Sequence, residues 1–222
     1  MEKPILLNTE EVKAILDGRK TMTRRVINAP VFKQVRDPNK IYWKNDQVIF
    51  QWHGDTIGEV AIKPPCQPGD ILWVRETWAK RIHSDNRYYY KADNNLGAVF
   101  NRENNKWRPS IHMPREAARL FLRVKGVRVE RLQKCGKDSI FDLQEEGIDI
   151  GEDCRRCIES YGTPCCNDED EYEDGSECGL LDVARTQFVE HWDSTIKKQD
   201  IDRYGWAANP WVWMIEFERV EV

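Results

Sequence analysis

The sequence predicts an α+β fold, a small β-barrel decorated by a few helices, and three observations lead there. Short strand-like runs at 71–78, 88–92, 120–132 and 211–220 are separated by turn clusters such as Pro64-Pro65-Cys66-Gln67-Pro68-Gly69-Asp70. Helical periodicity is confined to brief segments near 8–17, 139–146 and 180–196. No internal repeat interrupts this plan. At 222 residues the chain reads as one domain, 1–222, carrying two insertions at 28–57 and 149–178.

The first helix starts at Asn8-Thr9-Glu10-Glu11, a capping residue with Glu three positions on, and Val12, Ile15 and Leu16 fall on one face. Gly18 suits the left-handed residue that ends such a helix. The chain then enters Gly-Arg-Lys-Thr-Met-Thr-Arg-Arg (18–25), four cations interleaved with two hydroxyls. On a strand, Thr21, Thr23 and Arg25 share one face, and Met22, Arg24 and Val26 the other. Fixed charge and hydroxyls at a helix-to-strand corner suit a phosphate or a polar base edge; the plain alternative is a solvated basic turn.

Residues 28–57 have no clear period and read as an irregular excursion or a small hairpin. Ile71 to Trp78 is a strand on which Arg75 and Glu76 point to opposite faces. Trp107 to Pro114 is an ordered loop, and Pro114 sits where a short helix can begin, continuing to Arg119. In the strand from Leu120 to Leu132 the alternation shifts near Gly126, so a bulge is expected there. A short helix runs from Ser139 to Glu146 and ends at Gly147. Leu181, Ala184, Phe188 and Trp192 stay in register on a helix from Leu180 to Ile196, and the last strand is Trp211 to Val220.

The net charge of −4 conceals an uneven distribution. Residues 145–178 hold thirteen Asp/Glu and two Arg, which leaves the rest of the chain at +7. A basic body fits a polyanionic partner, and the acidic run Asp168-Glu169-Asp170-Glu171 is solvated or meets a protein partner. No apolar run of about 18 residues and no signal peptide are present, so a cytoplasmic protein with no membrane partner is expected. Seven cysteines without an export signal point to metal binding or free thiols rather than a disulfide framework. Cys154-x-x-Cys157, Cys165-Cys166 and Cys178 supply four thiolates for a structural Zn²⁺, with Cys165 or Cys166 as the fourth ligand; the alternative is an acidic loop with reduced thiols.

Four blocks together carry a resemblance. They are Gly18-Arg19-Lys20-Thr21 with Thr23, Gly69-Asp70 with Val74 to Trp78, Trp107 to Pro114, and Asn209-Pro210-Trp211-Val212-Trp213. In this order they resemble the ASCH domain family of the PUA-like superfamily, and more closely phage and prophage proteins with a cysteine-bearing insertion. The resemblance spans nearly the whole chain apart from 28–57. It implies a PUA-like barrel with a cleft beside the Gly-Arg-Lys-Thr turn, and a role with RNA or a modified nucleoside. One branch of the family hydrolyses the acetamide of N4-acetylcytidine with a Lys and a Thr of that turn and a later Glu. Carried to this chain, these are Lys20, Thr23 and Glu146, with Glu145 an equally simple choice by spacing.

Two readings follow from the family and the residues together. The first, which the sequence favours, is a module that reads RNA or a modified base through Arg19, Lys20, Thr21 and Arg25. The strand residues Arg75, Glu76 and Trp78 and the loop residues Arg108, Ser110 and His112 would add to that surface. Trp78 either stacks on a base or fills the core, and the Arg108–His112 loop either binds an anion or holds the barrel closed. The second reading is an amidohydrolase acting on an N-acylated nucleoside through Lys20, Thr23 and Glu146. A hydroxyl is a weak nucleophile near neutral pH and needs a base, and a carboxyl group can protonate the leaving amine.

Overall fold

The computed structural model describes residues 1–28, 38–53, 58–81, 88–93, 100, 105–136, 140–151 and 180–221. Its architecture is mixed α+β, with ten strands in three sheets and few helices among these residues. The main sheet has the order β1-β6-β9-β10-β2, built from Glu2–Leu6, Ile71–Arg75, Phe121–Arg131, Trp211–Val220 and Met22–Val26. β1 and β6 run parallel and the other pairs antiparallel. β3 (Lys40–Lys44), β4 (Gln47–Trp52) and β5 (Gly58–Ile62) form a second sheet, and β7 (Trp78–Lys80) pairs with β8 (Tyr88–Tyr90) in a third.

The expected closed barrel is not formed among the described residues. The main sheet ends at β1 on one side and β2 on the other. Arg25 of β2 spans that gap, its Nη2 donating to the Leu6 carbonyl at 3.0 Å. Helix α1 (Thr9–Leu16) is the connection between the two edge strands and buries Val12, Ala14 and Ile15. Its cap is the reciprocal one the sequence indicates. Asn8 Oδ1 accepts from the Glu11 N–H at 2.9 Å, and Glu11 Oε2 accepts from the Asn8 N–H at 2.8 Å.

Period-2 alternation on β10 separates two cores. Trp213, Ile215 and Phe217 face one side with Leu72, Val74, Leu122, Val124, α1 and β4. Val212 faces the other, packing with helices α2 (Ile140–Glu145) and α3 (Leu180–Thr195) through Leu143, Ala184, Phe188 and Trp192. β2 lies at the seam, with Ile27 in the first core and Val26 against the second. The bulge expected near Gly126 is present. Glu216 pairs with Gly126 and Phe217 with Val124, and a Cβ on Gly126 would stand 3.2 Å from Glu216 Oε2.

Two elements differ from expectation. The strand expected over 71–78 breaks at Glu76-Thr77 into β6 and β7, because Glu76 turns inward to an ion pair instead of continuing the ladder. The helix expected to run to Arg119 is a single 3-10 turn, Arg115–Ala117. Of the two readings offered for 28–57, the hairpin is the one formed over part of the segment, turned at Asn45 and Asp46 with φ of 50° and 58°. Positive φ at both central residues is the type I′ requirement, and Asn and Asp tolerate it. No helix among the described residues is long and apolar enough to cross a membrane.

Candidate functional site

The site lies where the β2 edge, α1 and the end of α2 meet, and Gly147 permits the meeting. After α2 the chain turns through Gly147 at φ +94°, where a Cβ would come within 2.8 Å of Ala14 Cβ and 3.2 Å of Lys20 Cβ. The Thr21 N–H donates to the Glu145 carbonyl at 2.9 Å, and Arg19 Nη1 donates to the Gly147 carbonyl at 2.6 Å. These contacts bring Glu146 onto Lys20 across 126 residues of sequence.

Lys20 Nζ donates to Glu146 Oε2 at 2.9 Å and to the Glu146 carbonyl at 2.6 Å. Glu11 Oε1 stands 3.9 Å from the same nitrogen. Arg24 holds the other Glu146 oxygen, Nη1 to Oε1 at 2.9 Å, and reaches Glu130 through Nε at 2.8 Å. Thr23 is fully buried, and its Oγ1 accepts from Arg25 Nη1 at 2.8 Å. Arg25 Nη2 lies 3.7 Å from Glu11 Oε1.

The electrostatics follow from this packing. Burial pushes the Glu146 carboxyl up, but Lys20 and Arg24 more than offset it and hold the group below the usual carboxylate range. Burial alone would lower the Arg24 guanidinium, and Glu146 and Glu130 keep it above its ordinary value. Glu145, the alternative by spacing, is shifted the other way by partial desolvation of its carboxyl and by Asp142. The buried seam is thus three carboxylates, Glu11, Glu130 and Glu146, interleaved with Lys20 and Arg24 and bordered by Arg25.

A cleft of about 670 Å³ opens above this seam. Glu11, Arg24, Arg25 and Glu146 are on its floor, and Thr77, Ser110, His191 and Trp192 are among its walls. Lys20 and Thr23 do not line it; they lie behind the floor. A second cleft of about 370 Å³ adjoins it, sharing Glu11, Glu146 and His191.

The structure therefore brings Lys20, Thr23, Arg25, Glu146 and Arg19 together and disperses the other candidates. Thr21 is exposed beside them. Arg75 Nη2 donates to the Ile111 carbonyl, which ties β6 to the Ser110–His112 turn. Glu76 is buried, and Arg119 grips both its oxygens at 2.9 and 3.0 Å; burial raises its carboxyl despite that partner. Trp78 is buried against Met113, Ala117 and Tyr88, which settles it as packing. Arg108 stacks on Trp78 at 5.2 Å and pairs with it through the backbone. Ser110 reaches the cleft wall, while His112 is exposed.

Sequence reasoning missed Glu11, Glu130 and His191 as site residues. Glu11 carries a visible signal for its cap, and that same cap fixes it on the floor. Cys154, Cys157, Cys165, Cys166 and Cys178, the zinc candidates, lie outside the described residues, as does the acidic run 168–171. Among the described residues no group of three or more His, Cys, Asp or Glu side chains is placed to hold a metal ion. Cys66 and Cys135 are buried free thiols, Cys66 pushed up to about 11 by burial.

The geometry is that of a mixed α+β protein with a polar cleft above a buried ion network. Compared with known proteins, the chain matches no family model, no curated protein and no solved structure.

Proposed function

We propose that this protein binds a modified nucleoside, free or within RNA, in the cleft above Glu11, Arg25 and Glu146. The observation that carries the reading is the pairing of donors and acceptors on one floor. A base edge alternates N–H donors with carbonyl or ring-nitrogen acceptors. Glu146, held as a carboxylate by Lys20 and Arg24, accepts from an N–H, and the half-buried Arg25 donates to a base oxygen. The cleft volume of about 670 Å³ is of the size that small-ligand sites occupy. Trp192 and His191 in the cleft supply apolar surface and a polar wall. The resemblance to the ASCH family, with its PUA-like fold, agrees with this reading, and with a phage or prophage setting.

The second reading is amide hydrolysis of an N-acylated nucleoside such as N4-acetylcytidine, and one observation favours it. Lys20 and Glu146, assigned from the family pattern alone, meet at 2.9 Å, and Thr23 is buried on the adjoining strand. In this scheme the Thr23 hydroxyl attacks the acyl carbon, its proton passes through Lys20 and Glu146 to the leaving amine as the C–N bond breaks, and water then hydrolyses the Thr23 acyl ester, restoring the hydroxyl. Binding is favoured over it because Thr23 lies behind the floor and donates nothing to the cleft surface.

The test is calorimetric titration of cytidine and N4-acetylcytidine, with product chromatography on the same samples. Saturable binding lost in Arg25→Ala supports the first reading. Release of cytidine by wild type but not by Lys20→Ala would replace it with the second. Neither binding nor turnover at millimolar nucleoside would overturn both.

A further inference from the structure

The outward face of the main sheet beside β1 is used by neither reading. The first core takes Leu72, Val74, Leu122, Val124 and Phe217 from one side of the sheet, and α2 and α3 cover the other side at its Val212 end. Towards β1 that second side is open among the described residues, except where Arg115 lies over Phe121. Pro4, Trp73, Phe121 and Val220 are successive cross-strand partners and form one row across four strands. Pro4 is exposed, and Trp73 and Val220 are half-buried. The neighbouring row is Glu2, Ile71, Arg123 and Glu218.

Both rings of the first row carry an arginine. Arg115 stands 4.3 Å over Phe121, and Arg75 stands 5.5 Å over Trp73. A guanidinium plane held over a ring is a stacking surface for a base, as is an indole. The carboxylates at this end of the face are already neutralised: Glu2 pairs with Arg115, Glu218 with Arg123 and Glu216 with Arg128. Arg75 and Lys125 have no carboxylate partner among the described residues, and Arg75 Nε is buried without a hydrogen-bond partner. The charge left over is positive, which favours a polyanion.

An added protein strand is the other ligand that open sheets take, and β1 is unsuited to it. The Leu7 N–H donates to the Arg75 carbonyl, and the Met1 carbonyl accepts from the Ile71 N–H. The odd-numbered residues of β1 therefore carry the ladder to β6. Pro4 stands on the free side of the strand with no N–H to offer, and the Leu6 carbonyl there is taken by Arg25. The open face also reaches the cleft. Leu6 lines the cleft, and its β6 partner Arg75 donates to the Ile111 carbonyl beside Ser110 in the cleft wall.

We propose that this face binds single-stranded nucleic acid. Bases flanking the nucleoside in the cleft stack on Trp73 and on the Arg115 plane, and Arg75, Arg123 and Lys125 meet the phosphates. The passage of the strand into the cleft rests on the nucleoside reading; the face itself does not.

The test is fluorescence anisotropy of the full chain with labelled nine-nucleotide cytidine oligomers, in ribose and deoxyribose forms, beside calorimetry with cytidine. The better oligomer should bind about tenfold or more tighter than cytidine, and less tightly as salt rises. Binding of either sugar form supports the proposal, and the tighter one names the strand. Trp73→Ala should weaken the oligomer about tenfold and leave cytidine within about twofold. Arg123→Gln and Lys125→Gln, both at exposed positions, should each reduce the slope of log affinity against log salt by about 0.7. Oligomers that bind no tighter than cytidine, or that bind wild type and all three variants alike, would overturn the proposal with the nucleoside reading intact. A dimer seen by light scattering and lost in Trp73→Ala, without oligomer binding, would overturn it in favour of a second copy of this chain. Oligomer binding that is weakened in the variants, with no binding of cytidine, would uphold the face and remove the nucleoside reading.

Discussion

Two buried carboxylates in this protein are each held by arginine, yet they have opposite consequences. Glu146 is gripped from both sides, by Lys20 and Arg24, and its carboxyl is held low. Glu76 has Arg119, itself shared with Asp93 at 2.5 Å, and its carboxyl is raised by burial. Glu146 opens onto a cleft; Glu76 lines neither of the two clefts described, and Arg119 is covered by the Tyr90 ring at 4.0 Å. The difference between the two carboxyls is the second cation: Glu146 has Lys20 as well as Arg24, whereas Glu76 has Arg119 alone. The Glu76 network instead stitches β6 to the segment before β9.

The largest effect that separates the two regions is expected from Glu146→Ala. Removing this carboxylate leaves two buried cations without their shared anion, a loss of about 3–5 kcal/mol. Equilibrium denaturation at pH 7 reads it directly, and Glu76→Ala should cost visibly less. A difference in the reverse order would mean that the Glu76 network is the stronger support.

Acid sharpens the same contrast. The folded Glu146 carboxyl is lowered, so its stabilisation is present above the unfolded value of 4.5 and is lost as pH falls through the lower folded value. The folded Glu76 carboxyl is raised, so its contribution is present below 4.5 and is lost as pH rises through the folded value. Glu146→Gln should therefore flatten the loss of stability below pH 4.5, whereas Glu76→Gln should remove a decline in stability that sets in as pH rises above 4.5 and leave the slope below it unchanged. Urea midpoints collected from pH 3 to 7 check both signs.

A smaller effect is expected from Gly147→Ala. The residue sits at φ +94° with Ala14 Cβ 2.8 Å from the added methyl, so strain of about 1–3 kcal/mol is expected. Because that methyl pushes the Glu146 segment off α1 and Lys20, nucleoside affinity should fall along with the melting temperature. Gly69 has a comparable φ of +88° but nothing within 4 Å of its added Cβ, so Gly69→Ala should lower Tm with affinity unchanged. The smallest effect belongs to Arg108→Ala. This exposed side chain rests on Trp78, and its loss should change stability by no more than about 0.5 kcal/mol. Were Arg108 a phosphate contact, the salt dependence of RNA binding would flatten by about one unit of slope.

Much of this frame was legible from local signals. The Asn8–Glu11 cap, the Gly126 bulge, the α3 register of Ala184, Phe188 and Trp192, and β10 all follow from short-range patterning, and each is found at its expected place. Over 28–57 a hairpin could be read only as an alternative to an irregular excursion, because its turn lacks glycine and its β4 strand buries Val48, Ile49 and Phe50 in succession instead of alternating. The break after Arg75 was hidden: Glu76 leaves the strand for Arg119, forty-three residues away. The same reason explains the site. Lys20 and Glu146 were paired beforehand only by the resemblance and not by any local signal; the contacts of Arg24 and Glu130 depend on β2 and β9 flanking β10, and the position of His191 depends on how α3 packs. No local sequence signal carries that information.

The measurement that tests the central claim most directly is calorimetric binding of N4-acetylcytidine to wild type, Arg25→Ala and Glu76→Gln in parallel, with product chromatography. The account predicts saturable one-to-one binding by wild type and Glu76→Gln and none by Arg25→Ala. Binding that survives in Arg25→Ala but is lost in Glu76→Gln would place the ligand at the other network and contradict it.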